Sequence, residues 1–215
     1  DAVQGGPLPA EVVIELAGHP RIIGLIDGES TSDRIAALRA ATINVKHEVS
    51  VTSVFSSVTR RMLARHEPAA VGSILSAEML TGGGGTAVTA VPSVPVLRTR
   101  MKIVGFQILA GSTAQMLDGL RAGAVGAMSA FAACAPQACY EVFAAWKDGD
   151  QDLAEEKQAR LQAVATRIEE ELGVPGIKFG CDFNGYFGGL PRLPLLPPTG
   201  EERNEIETLM HGLRN

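Results

Sequence analysis

The residues of this 215-residue chain that could do chemistry are scattered rather than clustered. Three cysteines, Cys134, Cys139 and Cys181, cannot all pair with one another, and their spacing matches no zinc template such as Cys-x-x-Cys. They read as reduced thiols. His19, His47, His66 and His211 lack metal-ligand spacing with each other or with the cysteines. Gly82 to Gly85 could cradle a phosphate, but no Lys-Ser or Lys-Thr follows and no clear strand precedes, so a flexible loop is expected there. Ser112 and Thr113 could donate to an anion at a helix N-terminus, and they serve equally well as plain caps.

The elements that must position these groups are organised around Gly18 to Thr31. An apolar run from Ile22 to Ile26, between a Pro-Arg entry and an Asp-Gly exit, reads as a parallel strand buried on both faces, with a polar end that lines a site. Helical patterns flank it at 8–17 and 32–41, the first stopped by Gly18 and the second capped by Thr31 or Ser32. Helix, strand, helix alternation points to an α/β fold. It resumes after Ile103 with strand candidates at 106–111 and 126–131, followed by helices at 114–122 and 136–147. A charged amphipathic helix is expected over 150–172, ended by Gly173, and a closing helix from Thr199 to Leu213 with Glu201 and Glu202 in its first turn.

Between 44 and 100 the pattern loosens. Residues 49–55 alternate like a half-exposed strand, and 57–65 could be a short helix. The glycine run and the Val91-Pro-Ser-Val-Pro95 segment that follow predict the most mobile internal stretch, over 66–100.

Composition sets bounds. Hydrophobic residues make up 46% and aromatics only 5%, which suits an aliphatic core of helices packed on a parallel sheet. A net charge of −5 with no concentrated basic patch argues against a nucleic-acid or anionic-membrane surface. No long apolar run or leader pattern is present, so a soluble, cytoplasmic protein is expected. The chain begins at Asp1 rather than Met, which reads as a fragment or a trimmed product.

His19-Pro20-Arg21-Ile22-Ile23-Gly24-Leu25-Ile26-Asp27 resembles the sixth barrel strand of the dihydrodipicolinate synthase and N-acetylneuraminate lyase family, whose pattern there is roughly Pro-x-Ile-x-Gly-Ile-Lys-Asp. Ala110-Gly111-Ser112 and Gly123 to Ser129 resemble its seventh and eighth strands, and 173–179 with 184–194 its C-terminal helical part, above all in the 4-hydroxy-2-oxoglutarate aldolase-like branch. The likeness is collinear over 8–41 and 103–214. The family's Gly-x-x-Gly-Glu and Tyr-x-Asn-x-Pro segments are nowhere in the sequence.

The resemblance implies strands six to eight of a (β/α)8 barrel with their helices, an absent N-terminal half, and a C-terminal helical extension. It divides the chain into a partial barrel over 1–148, with an irregular insertion at about 44–100, and the extension over 149–215. It implies a class I aldolase-type lyase acting on a small-molecule 2-oxo acid, without cofactor or metal, as a homo-oligomer. Ile26 occupies the position of the family's Schiff-base lysine, and isoleucine has no amine, so the covalent step cannot occur there. This leaves an incomplete or variant copy, or a non-catalytic protein kept for its fold or oligomer contacts. Lys46, Lys102 and Lys178 are the other conceivable nucleophiles, each read as a solvated surface amine. Gly111 and Met128, at strand ends, are the implied substrate-binding residues. Tyr186 and Arg192 carry no catalytic role.

Overall fold

The computed structural model describes residues 8–52 and 99–213. The expected helix at 57–65, the Gly82 to Gly85 run, His66 and the stretch expected to be mobile, save its last residues, lie outside them. The chain divides into two units, residues 1–49 with 103–215, and residues 50–102. All elements that follow, apart from the outer parts of β2 and β3, belong to the first.

The first unit is α/β. Helix α1 spans Ala10–Ala17, strand β1 Gly24–Asp27 and helix α2 Ser32–Ala41. Strands β2, Lys46–Thr52, and β3, Thr99–Gly105, form a two-stranded sheet of their own. Then come β4 at Gln107–Ala110, α3 at Met116–Arg121 and β5 at Gly126–Ala127. A 3-10 turn at Ala130–Ala133 leads into α4, Pro136–Asp148, and α5, Gln151–Ala165. The latter continues as a π-helix over Thr166–Glu171, followed by α6, Gly173–Phe183, and α7, Gly200–Met210.

Strands β1, β4 and β5 make a parallel sheet in the order β1-β4-β5, with Ile26 opposite Leu109 and Leu109 opposite Gly126. The alternation of the pleat assigns Leu25, Asp27, Ile108 and Ala110 to the other face, where Asp27, Ile108 and Ala110 are buried. The core joins that face to Ile35 and Leu38 of α2, Met116, Leu117 and Leu120 of α3, and Val142 and Ala145 of α4. Each of the Ile, Leu, Met and Val side chains among them contributes roughly 1.5–3 kcal/mol relative to exposure. Glycine permits the close approach of α3: a Cβ on Gly119 would stand 3.0 Å from both Ala110 Cβ and Ile35 Cδ1.

Several expectations need correction. The strand at Gly24–Asp27 is not covered on both faces, for Ile26 is 46% exposed and only the opposite face meets helices among the described residues. The third strand is two residues long, because the chain turns into the 3-10 segment that buries Phe131. Helix α3 starts at Met116 rather than at 114, since the carbonyls of Thr113 and Ala114 accept from Gln158 Nε2 at 3.0 and 2.9 Å. Gly18 does stop α1, as its C-cap, with a right-handed φ of −75°. Thr31 holds the N-cap position of α2, but its side chain makes no cap bond.

At the other end of the chain, α4 runs to Asp148 and closes on Gly149 with φ +79°, and the side chain of Asp150 then caps α5 by accepting from Leu153 N–H at 3.2 Å. Gly173 ends the long helix only to begin α6, where Pro175 sits harmlessly in the first turn. The closing helix has the capping box its sequence announces: Thr199 Oγ1 accepts from Glu202 N–H, and Glu202 Oε2 accepts from Thr199 N–H at 2.7 Å.

Candidate functional site at the strand ends

The carboxyl ends of β1, β4 and β5 lie side by side, the place where parallel α/β sheets form ligand sites. Asp27 closes β1 and is 2% exposed. Its Oδ1 accepts from Arg34 Nε at 2.7 Å and its Oδ2 from Ser30 N–H at 2.9 Å. Both carboxylate oxygens thus have partners, as a buried charge requires. Arg34 also donates to the Leu8 carbonyl, tying α2 to the start of α1.

Ser30 joins this turn to the next strand. Its hydroxyl donates to the Asp27 carbonyl at 2.6 Å and accepts N–H bonds from Gly111 at 2.7 Å and Ser112 at 3.0 Å. Those bonds hold Ser30 at φ +53°, a left-handed conformation that favours glycine. Gly111 N–H is shared with the Asp27 carbonyl at 2.9 Å, and a Cβ there would stand 2.8 Å from that oxygen. The close seam between β1 and β4 therefore requires glycine.

Of the residues assigned to binding, Gly111 follows β4 directly and Met128 follows β5, with the Met128 N–H donating to the Ala110 carbonyl at 2.7 Å. The two backbones are therefore adjacent. Met128 is 61% exposed, so it is a surface side chain at the strand end and not a core methionine. Ile26 sits one residue inside the end of β1, in the row of Leu109 and Gly126.

The other candidates lie elsewhere. Lys46 and Lys102 are exposed on β2 and β3. Lys178 is half-buried and not a solvated amine: its Nζ donates to the Gly188 carbonyl at 2.5 Å. His19 accepts from Arg21 N–H, and buried His47 meets the Ala17 carbonyl at 3.0 Å. No group of three His, Cys, Asp or Glu able to hold a metal occurs among the described residues.

The three cysteines are free and buried. Burial pushes the Cys139 thiol up to about 11, partly offset by the Ser129 hydroxyl, and raises Cys134 and Cys181 as well. Neutral thiols of this kind are poor nucleophiles.

Sequence reasoning missed four residues that shape the strand ends. Gln158 on α5 holds the loop after β4, accepting from Leu117 N–H and donating to the Thr113 and Ala114 carbonyls. Glu169 Oε2 accepts from Thr113 N–H at 3.3 Å and its Oε1 from Ala130 N–H at 2.9 Å, while Glu170 accepts from Ser112 Oγ at 3.1 Å. Ser30 is the fourth. Ser112 Oγ accepts from Gln115 N–H at 3.3 Å, as a cap does, besides donating to Glu170, whereas buried Thr113 Oγ1 has no partner among the described residues. A signal was present: Glu169, Glu170 and Glu171 crowd the C-terminal end of a helix, where the macrodipole disfavours anions.

The model of the dihydrodipicolinate synthetase family matches residues 89–212. The chain belongs to this family. A 4-hydroxy-tetrahydrodipicolinate synthase of Acidiphilium cryptum is 32% identical over 105 residues, covering 49% of this chain and 36% of that protein. A protein described as an uncharacterized DapA-like lyase of Halobacterium salinarum is 25% identical over 224 residues, covering 91% and 72%. Among solved structures, a dihydrodipicolinate synthase of Bacillus anthracis superposes with TM-score 0.62 at 16% identity over 96% of this chain and 50% of that one. That likeness speaks for the TIM-barrel fold. The chain spans about a third of the length of the Acidiphilium relative and half that of the Bacillus structure. No helix among the described residues is long and apolar enough to cross a membrane.

Proposed function

We propose that this chain is the portion of an aldolase-type lyase that carries strands six to eight of the barrel, here β1, β4 and β5, with residues 149–215 as its helical extension. On this reading the strand ends at Gly111 and Met128 hold a 2-oxo acid through the backbone, and Ile26 stands in the place of the imine-forming lysine. Family membership and the adjacency of the three strand ends support it. The 4-hydroxy-2-oxoglutarate aldolase-like branch, a homo-oligomer and a cytoplasmic setting belong to the same reading.

The observation that carries it is the position of Ile26, at the carboxyl end of a parallel strand, 46% exposed, in one row with Leu109 and Gly126. A side chain there faces the open side of the sheet, where a lysine would meet a ligand and an isoleucine leaves only apolar contact. Incubation with pyruvate and borohydride, followed by mass spectrometry, tests the loss of covalent chemistry. No adduct is expected. A stoichiometric pyruvyl adduct on any lysine would overturn it.

The same isoleucine favours a second reading, a non-catalytic protein kept for its fold or oligomer contacts. Pyruvate binding observed by amide shifts at Gly111 and Met128 separates the two, since the second reading gives none.

A further inference from the structure

The carboxylate of Glu169 joins two loops that the sheet alone leaves separate. One oxygen accepts from Thr113 N–H, two residues beyond Gly111, and the other from Ala130 N–H, two residues beyond Met128. The clasp is built from outside the strands. It sits on the π-helical turn Thr166–Glu171, whose wider winding lets the consecutive residues Glu169 and Glu170 both reach the β4 loop, through Thr113 N–H and Ser112 Oγ. Arg167 of the same turn is engaged on the far side by Glu171 and Glu205, both at 2.8 Å. Glu169 is thus spent on backbone N–H groups of the two loops, and a carboxylate is the side chain able to accept both at once.

We propose that Glu169 is a positioning residue of the strand-end site: by clasping both loops it sets the spacing between the Gly111 and Met128 backbones, and so the fit of a 2-oxo acid against them. The proposal rests on the strand-end binding reading. Glu169 touches no ligand itself. Glu169→Gln keeps the shape but offers a single acceptor to two donors and turns an amide N–H toward one of them.

The test uses the full 15N-labelled chain with pyruvate as probe, comparing the wild type, Glu169→Gln and Val13→Ala, a core change on α1, which packs against α2. Glu169→Gln is expected to weaken pyruvate binding about tenfold, the equivalent of one charge-assisted hydrogen bond. It should also move the Gly111 and Met128 amide signals in the free protein, whereas Val13→Ala lowers stability and leaves affinity unchanged. Wild-type affinity in Glu169→Gln, with faster exchange only at Thr113 and Ala130, would overturn the proposal by reducing the clasp to a structural cap. If the wild type itself binds no pyruvate, the strand-end reading fails. The free-protein signals then decide the positioning claim, which falls if Gly111 and Met128 do not move. Should Glu169→Gln lower the folded population, Glu169→Asp, which keeps both oxygens and shortens the reach, takes its place with the same readouts.

Discussion

The hydroxyl of Ser30 accepts the Gly111 N–H at 2.7 Å, joining residues 81 apart in sequence at the ends of two neighbouring parallel strands. The same oxygen accepts Ser112 N–H and donates to the Asp27 carbonyl, so one side chain ties the tip of β1 to the loop after β4. Ser30→Ala is expected to cost about 2 kcal/mol, because the buried Ser112 N–H loses its acceptor, while the Gly111 N–H keeps the Asp27 carbonyl. Ser30→Gly loses the same bonds but relieves the left-handed strain at φ +53°, a recovery of roughly 1 kcal/mol. Urea unfolding of both variants checks the order. Equal losses would show that the strain is not felt at this turn.

Ile26→Lys places an amine at the strand end without opening a cavity, since the position is 46% exposed. Exposure also keeps that amine solvated and largely protonated near neutral pH. Weak trapping by pyruvate and borohydride is expected, with no measurable cleavage of 4-hydroxy-2-oxoglutarate: on the proposed reading of the chain as one portion of a lyase, the acid-base and positioning groups belong to the other portion, and their loss costs several powers of ten. Multiple turnover in a steady-state assay would mean that the segments at hand already supply those groups.

The cysteines should resist modification while the protein is folded. Burial raises all three thiols, Cys139 to about 11, so at pH 7.5 the thiolate fraction is small and access is poor. Iodoacetamide labelling is expected to be slow in buffer and to reach three groups per chain in denaturant. Rapid labelling of Cys134 or Cys139 in buffer would contradict their packing.

Acid sensitivity should arise at α7. The Thr199 N–H and hydroxyl hold the Glu202 carboxyl below its ordinary 4.5, and Arg167 does the same for Glu205. A depressed carboxylate adds stability above its unfolded pKa and loses it as pH falls through the folded value. The gap in Tm between the wild type and Glu202→Gln is therefore expected to be open at pH 6 and to close below about pH 4. A gap that widened in acid would reverse the assignment.

Local signals in the chain determined a good deal. The Thr199 to Glu202 capping box is a contact between near neighbours, and it forms as written. Helix α2 occupies Ser32–Ala41, where its apolar spacing put it, with Ile35 and Leu38 buried. The Pro-Arg and Asp-Gly borders located β1, and the motifs over 8–41 and 103–214 carried the family, now shown by the match over 89–212. What the tertiary structure decided has in every case a partner distant in sequence. Whether Ile26 is buried depends on what lies over its face, and a strand's own apolar run does not say. The start of α3 is set by Gln158, the conformation of Ser30 by Gly111 and Ser112, and the job of Glu169 by two backbone N–H groups on separate loops. Such contacts leave no periodicity. They follow from which side chains the packing brings to an unsatisfied backbone group, and that is known only once the chain has folded.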